Sequence, residues 1–164
     1  MRALQEPLPG PRFALGSVPG MALAFLLLAW TEEVGWSGYA TERMQRRWAA
    51  LRMGLALGVA WAAWHVIPLL QAGRDPAWIA WWSLGTVGSR VIIVWLYNNA
   101  GRSVVVAALY HAIGNLCWQL FPNADSHYDP RCTGSLTALT AGAVTVARRR
   151  RTLAERRATP ASSR

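Results

Sequence analysis

Lysine is missing from this chain: all 17 basic residues are arginine. That bias carries no chemistry of its own, but it makes arginine the marker of every basic boundary. Cysteine is scarce. Cys117 falls inside an apolar run and Cys132 in a loop beyond it, which excludes a disulfide framework and gives no metal-ligand spacing. Acids are few, 8 against the 17 arginines, for a net charge of +9. A nucleic-acid binder would carry such charge as a basic stripe with interleaved aromatics on a polar face. Here the arginines gather in short loops and a C-terminal run beside apolar blocks, as the positive-inside rule places them. Nucleic acid is therefore excluded as a partner. A small-x-small cleavage site is also lacking, because Met21–Trp30 runs straight into Thr31-Glu32-Glu33, so the N-terminus does not read as a secretory signal.

What the chain has in abundance is apolar sequence, 53% of it. Five apolar segments stand out, at about 13–31, 48–70, 77–97, 103–121 and 133–147. Most approach the length a helix needs to cross a bilayer. The last is shorter and rich in Thr, Gly and Ala. The pattern predicts an all-α fold, a polytopic transmembrane bundle of about five membrane-embedded helices. Residues 1–12 read as an irregular lead-in, 13–147 as one membrane domain and 148–164 as a basic, disordered cytoplasmic tail. With five spans, Arg43, Arg46, Arg47, Arg52, Arg102 and the tail share one side, and Arg2, Arg12, Arg74 and Arg131 share the other. The richer side is expected to be cytoplasmic, with the N-terminus outside. Trp48, Trp78, Trp81 and Trp82 lie near segment ends, where they would anchor at the interface.

Ionisable groups inside such segments are costly unless they pair or line a cavity. Glu32, Glu33, His65, Arg90 and His111 qualify, joined by Asn115 four residues after His111 and on the same helix face. Glu32 lies 11 residues from Arg43, His65 13 from Arg52 and His111 9 from Arg102. On helices these spacings are roughly 16, 20 and 14 Å, which places an acid and two imidazoles at similar depth. A carboxylate in such a site can take a proton from water. Two His and an Asn can orient that water, stabilise an oxyanion or, with the Glu, hold a metal. Structural interhelical hydrogen bonding is the alternative use of the same residue types.

The surrounding residues carry a resemblance. Glu32-Glu33-Val34-Gly35-Trp36-Ser37-Gly38-Tyr39 resembles the first motif of the CPBP family, EExxxR, often seen as EExGWRGY. Trp61-Ala62-Ala63-Trp64-His65-Val66-Ile67-Pro68 resembles its second, an aromatic four residues before a His and commonly ending WHxP. Trp95 to Asn99, Gly101 and then His111-Ala112-Ile113-Gly114-Asn115 are similar to the run into its third, HxxxN. The three occur in order, each on an apolar segment, over about residues 20–121. The family comprises type II CAAX prenyl endopeptidases and bacterial relatives linked to bacteriocin processing or self-immunity, also called Abi proteins.

The resemblance implies an intramembrane endopeptidase acting near the membrane face. Glu32 would be the water-activating base, His65, His111 and Asn115 would complete the site, and Glu33 would support it. Zinc held by Glu32, His65 and His111, or no metal at all, are both open. The implied partners are a peptide or membrane-protein substrate and the lipid bilayer, in a bacterial inner membrane; oligomeric state stays open. Two departures stand out. Ser37 occupies the position of the motif's Arg, so Arg90 is expected to bring compensating charge from another helix. Members also usually carry further spans before the first motif, which suggests a compact or shortened member. Both departures favour the alternative, a non-catalytic immunity or scaffold protein that keeps the fold. A transporter is disfavoured because no inverted repeat is visible.

Overall fold

The computed structural model describes residues 15–120 and 128–158, so the expected lead-in 1–12 lies outside the described residues. Among them there is no strand. A short 3₁₀ turn (Leu15–Ser17) leads into α1 (Val18–Glu33). The helix does not stop at the acidic pair. It continues as a π-helical segment (Val34–Thr41) and a single α-turn, α2 (Glu42–Gln45). Four long helices follow: α3 (Ala50–Gln71), α4 (Pro76–Asn99), α5 (Val104–Leu120) and α6 (Pro130–Ala158).

The boundaries follow local chemistry. Asp75 caps α4 by accepting from the Trp78 backbone N–H at 2.9 Å, and Pro76 takes the first helical position, where its missing N–H costs nothing. Asp129 likewise accepts from the Arg131 N–H at 2.8 Å where α6 begins at Pro130. Gly73, at φ +73°, supplies the left-handed turn that closes α3. Between these stops, even the β-branched run Val91–Val94 stays helical, because hydrocarbon leaves no backbone polar group another partner.

Three helical stretches are long and apolar enough to cross a membrane: Val18–Gln45, Ala50–Gln71 and Pro76–Asn99. α5 is a shorter apolar helix, and the Thr-, Gly- and Ala-rich fifth segment lies within α6. The chain is thus an all-α, multi-pass bundle. Its surface is lipid-like: Leu23, Leu27, Leu28, Trp64, Ile67 and Leu139 are all exposed. α6 runs on to Ala158, so Arg148–Arg151 continue a helix where the sequence suggested a disordered tail. The reason is local, since Arg, Leu, Ala and Glu are good helix formers and no Gly or Pro interrupts them before Pro160.

α4 is the central helix. It packs most broadly on α6 and α3 and less on α5, while α1 packs on α5. Contacts at several levels fix the directions. Gly54 meets Val91 and Gly58 meets Val87, so α3 and α4 are antiparallel. Gly85 meets Gly134 and Gly88 meets Thr137, so α4 and α6 are parallel. Glu33 contacts both Arg90 and His111, while Glu42 contacts both Tyr97 and Arg102, so α1 and its extension run parallel to α4 and antiparallel to α5. This up-and-down order gathers Arg43, Arg46, Arg47, Arg52, Arg102 and the arginine-rich end of α6 at one end of the bundle.

Small residues let the helices approach. A Cβ on Gly58 would lie 2.9 Å from the Val87 Cα and 3.3 Å from the Arg90 Cβ, and α1 meets α5 through Ala29, Ala108 and Ala112. Close backbone approach of this kind drives helix association where lipid supplies no hydrophobic force. Gly58→Val is therefore expected to destabilise the bundle by about 1–3 kcal/mol through overpacking. Gly142→Val, where nothing lies within 4 Å, should be close to neutral. Thermal unfolding of the two variants in detergent checks the contrast.

Candidate active site

Glu33, the last residue of α1, points inward, and the π-helical segment keeps Ser37 and Thr41 on the same face. Adjacent residues on a helix lie about 100° apart, so Glu32 and Glu33 cannot share a direction. Glu33, Ser37 and Thr41 all lie on the inner face and are fully buried. The Thr41 hydroxyl donates to the Trp36 carbonyl at 2.9 Å, five residues back, within the widened turn. Such π turns concentrate at functional sites. Glu32 is exposed.

Around Glu33 lies a polar core assembled from three helices. Arg90 Nη1 donates to Glu33 Oε2 at 2.9 Å, and both side chains are 0% exposed. The Ser37 hydroxyl donates to the same oxygen. His111 Nδ1 lies 3.1 Å from the other oxygen, Oε1. The Arg90 guanidinium lies over the face of Trp61 at 4.3 Å and faces Trp36 at 5.7 Å. Its Nε and Nη2 find no hydrogen-bond partner among the described residues, and the indole faces supply the compensating electrostatics. Ser37, too weak to balance a buried carboxylate, thus leaves that task to a cation from α4.

A cavity of about 460 Å³ opens beside this core, between α3, α4, α5 and α6. His65, His111 and Asn115 all line it, along with Trp61, Trp82, Trp118 and Tyr128. Trp61 stands between the imidazoles, edge-on to His111 at 5.0 Å and to His65 at 5.9 Å between ring centres, and His65 meets Trp82 at 5.2 Å. His65 Nδ1 is 2.8 Å from the Trp61 carbonyl. Burial pushes the Tyr128 phenol above its usual pKa, and nearby Asp129 adds to this while a hydrogen bond with Thr133 offsets part of it, so Tyr128 stays neutral at physiological pH. The outer wall is neutral and aromatic.

The sequence-level expectation is corrected at one place. His65, His111 and Asn115 share a cavity, but Glu32 is not part of its wall; Glu33 is the acid that meets His111. The physical reason is the angular offset between neighbours at the end of α1. The zinc set needs Glu32 to join both imidazoles. Among the described residues no three His, Cys, Asp or Glu side chains are grouped to hold a metal ion, so this arrangement does not fit the proposed zinc ligands. Trp61 had no role assigned from the sequence, although its place four residues before His65 put it on the same face. A second polar clasp was also missed. Tyr97 donates to Glu42 at 2.8 Å and Arg102 donates to the same carboxylate at 3.1 Å, tying α2 to the end of α4 and the turn after it.

The polar core carries a stability prediction. Removing one member of a buried ion pair leaves an uncompensated charge, at a cost of about 3–5 kcal/mol. Glu33→Leu should therefore destabilise the bundle strongly. Glu33→Leu combined with Arg90→Met should recover much of the loss, because no buried charge remains. Unfolding free energies of both variants in detergent measure the difference.

Comparison with known proteins agrees with this architecture. Residues 14–117 match the family model described as type II CAAX prenyl endopeptidase Rce1-like. The chain is also 29% identical over 120 residues to CAAX prenyl protease 2 of Methanococcus maripaludis, an alignment covering 68% of this chain. It spans 44% of that relative's length. The matched region holds the acidic pair, Arg90, both imidazoles and Asn115, and on the extent of that match the chain belongs to the type II CAAX prenyl endopeptidase Rce1-like family.

Proposed function

We propose that the chain is an intramembrane endopeptidase that hydrolyses a peptide bond close to the membrane face. The observation that carries the reading is the convergence of His65, His111 and Asn115 on one cavity inside an apolar bundle, with a carboxylate behind His111. Hydrolysis needs a base for water and donors for the oxyanion. Glu33 already accepts from Arg90 and Ser37 and lies 3.1 Å from His111 Nδ1, so it is occupied as a structural group. The task of activating water is assigned to Glu32 on the resemblance of its motif alone, since its side chain is exposed and lies outside the cavity wall. The Asn115 amide can donate to the oxyanion, and the imidazoles can orient the water. The substrate class carried over from the relative's name is a CAAX peptide; a peptide or membrane-protein segment without a prenyl group is the other substrate of this chemistry. The arginine-rich end of the bundle is assigned to the cytoplasm.

A non-catalytic immunity or scaffold role is the second reading. The exposure of Glu32, away from the cavity wall, favours it. Purified full-length protein in detergent, assayed with fluorescence-quenched CAAX peptides with and without a prenyl group, separates the two. The wild type should cleave one of them. Glu32→Gln should lose cleavage by at least about 100-fold while keeping the wild-type melting temperature. Cleavage unaffected by Glu32→Gln removes Glu32 from the mechanism, and a wild type inert toward both peptides supports the scaffold. Orientation is tested separately: a reporter fused after Arg151 should behave as cytosolic.

A further inference from the structure

The cavity between α3, α4, α5 and α6 is closed on some sides and open on another, and its ring contacts show which. At the end remote from the arginines, Trp82 meets Trp118 at 5.9 Å and Trp118 meets Tyr128 at 4.8 Å between ring centres. Toward α3, Trp61 reaches His111 at 5.0 Å. At the other end Tyr110 packs against Val91, Ile92 and Ala141, where α4 meets α6. Between Tyr110 and Trp118, α5 and α6 do not pack closely among the described residues. Tyr110, Gly114 and Trp118 follow one another at four-residue spacing and so share one face of α5. Gly114 is the gap between the two rings, and a Cβ there would meet nothing within 4 Å. Ile113, Gly114 and Cys117 line the cavity and are nevertheless exposed. Among the described residues the cavity thus opens sideways through the wall of an apolar bundle, toward the hydrocarbon of the bilayer.

The opening is narrow. Tyr110 and Trp118 stand eight residues apart, about 12 Å along the axis of α5, and both rings take up part of that distance. A helix with its side chains is about 10–12 Å across, so a transmembrane helix does not pass, while a single extended chain does. The walls decide what kind of chain. Thr86 donates to the Trp82 carbonyl at 3.1 Å, Thr133 to that of Asp129 at 3.2 Å and Thr137 to that of Thr133 at 2.7 Å. Each hydroxyl spends its proton on its own helix. An extended peptide would bring a backbone C=O at every residue and find no donor among these hydroxyls, a costly state at membrane depth. A hydrocarbon chain brings no such demand. We propose that the gap at Gly114 is a lateral portal through which one hydrocarbon chain, carried in the bilayer, enters the cavity and lies against Ile93, Trp82 and Trp118. The ligand class is a lipid chain, free or attached to a larger molecule. Only the use of the portal by a protease substrate rests on the peptidase reading; the opening and its fit do not.

Photolabelling of the full-length protein in phosphatidylcholine nanodiscs tests the portal, with palmitic acid carrying a diazirine on its chain as the probe. Light expels dinitrogen from the diazirine, the resulting carbene inserts into a neighbouring bond, and mass spectrometry of the peptides locates the adduct. In the wild type, adducts should form on Thr86 and Ser89, which line the cavity from α4, as well as on the exposed Leu23 of α1. Gly114→Trp fills the gap from a position where nothing obstructs its Cβ. It should lose the adducts on Thr86 and Ser89 and keep that on Leu23. Gly114→Leu, a smaller plug, should give the same loss if the tryptophan variant does not fold. Gly142→Trp, at an exposed glycine of α6 that is equally open, should keep all three adducts. A wild type labelled at Leu23 but at neither Thr86 nor Ser89 overturns the proposal without reference to any variant's folding. A plugged variant with the wild-type melting temperature that is still labelled at Thr86 and Ser89 overturns it as well, because the chain then arrives by another route. None of these readouts depends on cleavage, so a wild type inert toward peptides leaves the portal standing, and an unlabelled cavity leaves the peptidase reading to its own assay.

Discussion

A guanidinium buried in the centre of a membrane bundle is the constraint around which this molecule is organised. Arg90 is fully buried at the middle of α4, the helix that touches α3, α5 and α6. Leaving it unpaired would cost more than a small bundle can sustain. The surrounding helices each answer that demand. α1 ends with Glu33, the counter-ion, and its π-helical continuation adds the Ser37 hydroxyl and the Trp36 face. α3 lays Trp61 against the guanidinium. α5 contributes His111 to the far oxygen of the carboxylate. One charge thus fixes the relative depth of four segments remote from one another in sequence.

Apolar packing alone would not fix depth in this way. The helices meet through Gly54, Gly58, Gly85, Gly88 and Gly134 and through the alanines of α1 and α5, surfaces that permit close approach yet tolerate sliding. Lipid-facing leucines and tryptophans give no register either, since any rotation that keeps them outward is acceptable. The Glu33–Arg90–His111 contacts tie α1 to α4 and α5, and nine residues further along the chain the Glu42–Tyr97–Arg102 clasp ties α2 to the end of α4 and the turn before α5. Two fixed levels set both register and direction.

Much of this was legible in the sequence because membrane depth makes polar residues conspicuous. The apolar blocks gave the helices, and the rare ionisable side chains within them gave the groups that meet. Direction within a turn was not legible. Glu32 and Glu33 differ by one position, and only the π-helical stretch beyond them decides that Ser37 and Thr41 follow Glu33 inward. Periodicity assumes 3.6 residues per turn, so a local widening shifts every face assignment after it. In the sequence Trp61 is only the aromatic four residues before His65. Its role shows only once Arg90, from another helix, lies over its face. The helical continuation of α6 through Arg148–Arg151 was hidden by charge, which reads as solvation although arginine forms helix readily.

The adjacent acids illustrate how one sequence motif can divide into two environments. Glu33 is enclosed, accepts from Ser37 and Arg90 and meets His111; Glu32 is exposed and accepts from none among the described residues. A carboxylate saturated by fixed donors is a good anchor and a poor base, because every proton it might take displaces a bond that holds the fold. A carboxylate free of such bonds has the opposite properties. His111 is where the two requirements meet. One edge of its ring is held by the core, and the ring also forms part of the cavity wall. The rigidity generated by burying Arg90 is therefore delivered to the cavity by a single imidazole. Preorganisation of this kind needs no motion at the site: the electrostatics are fixed when the helices pack.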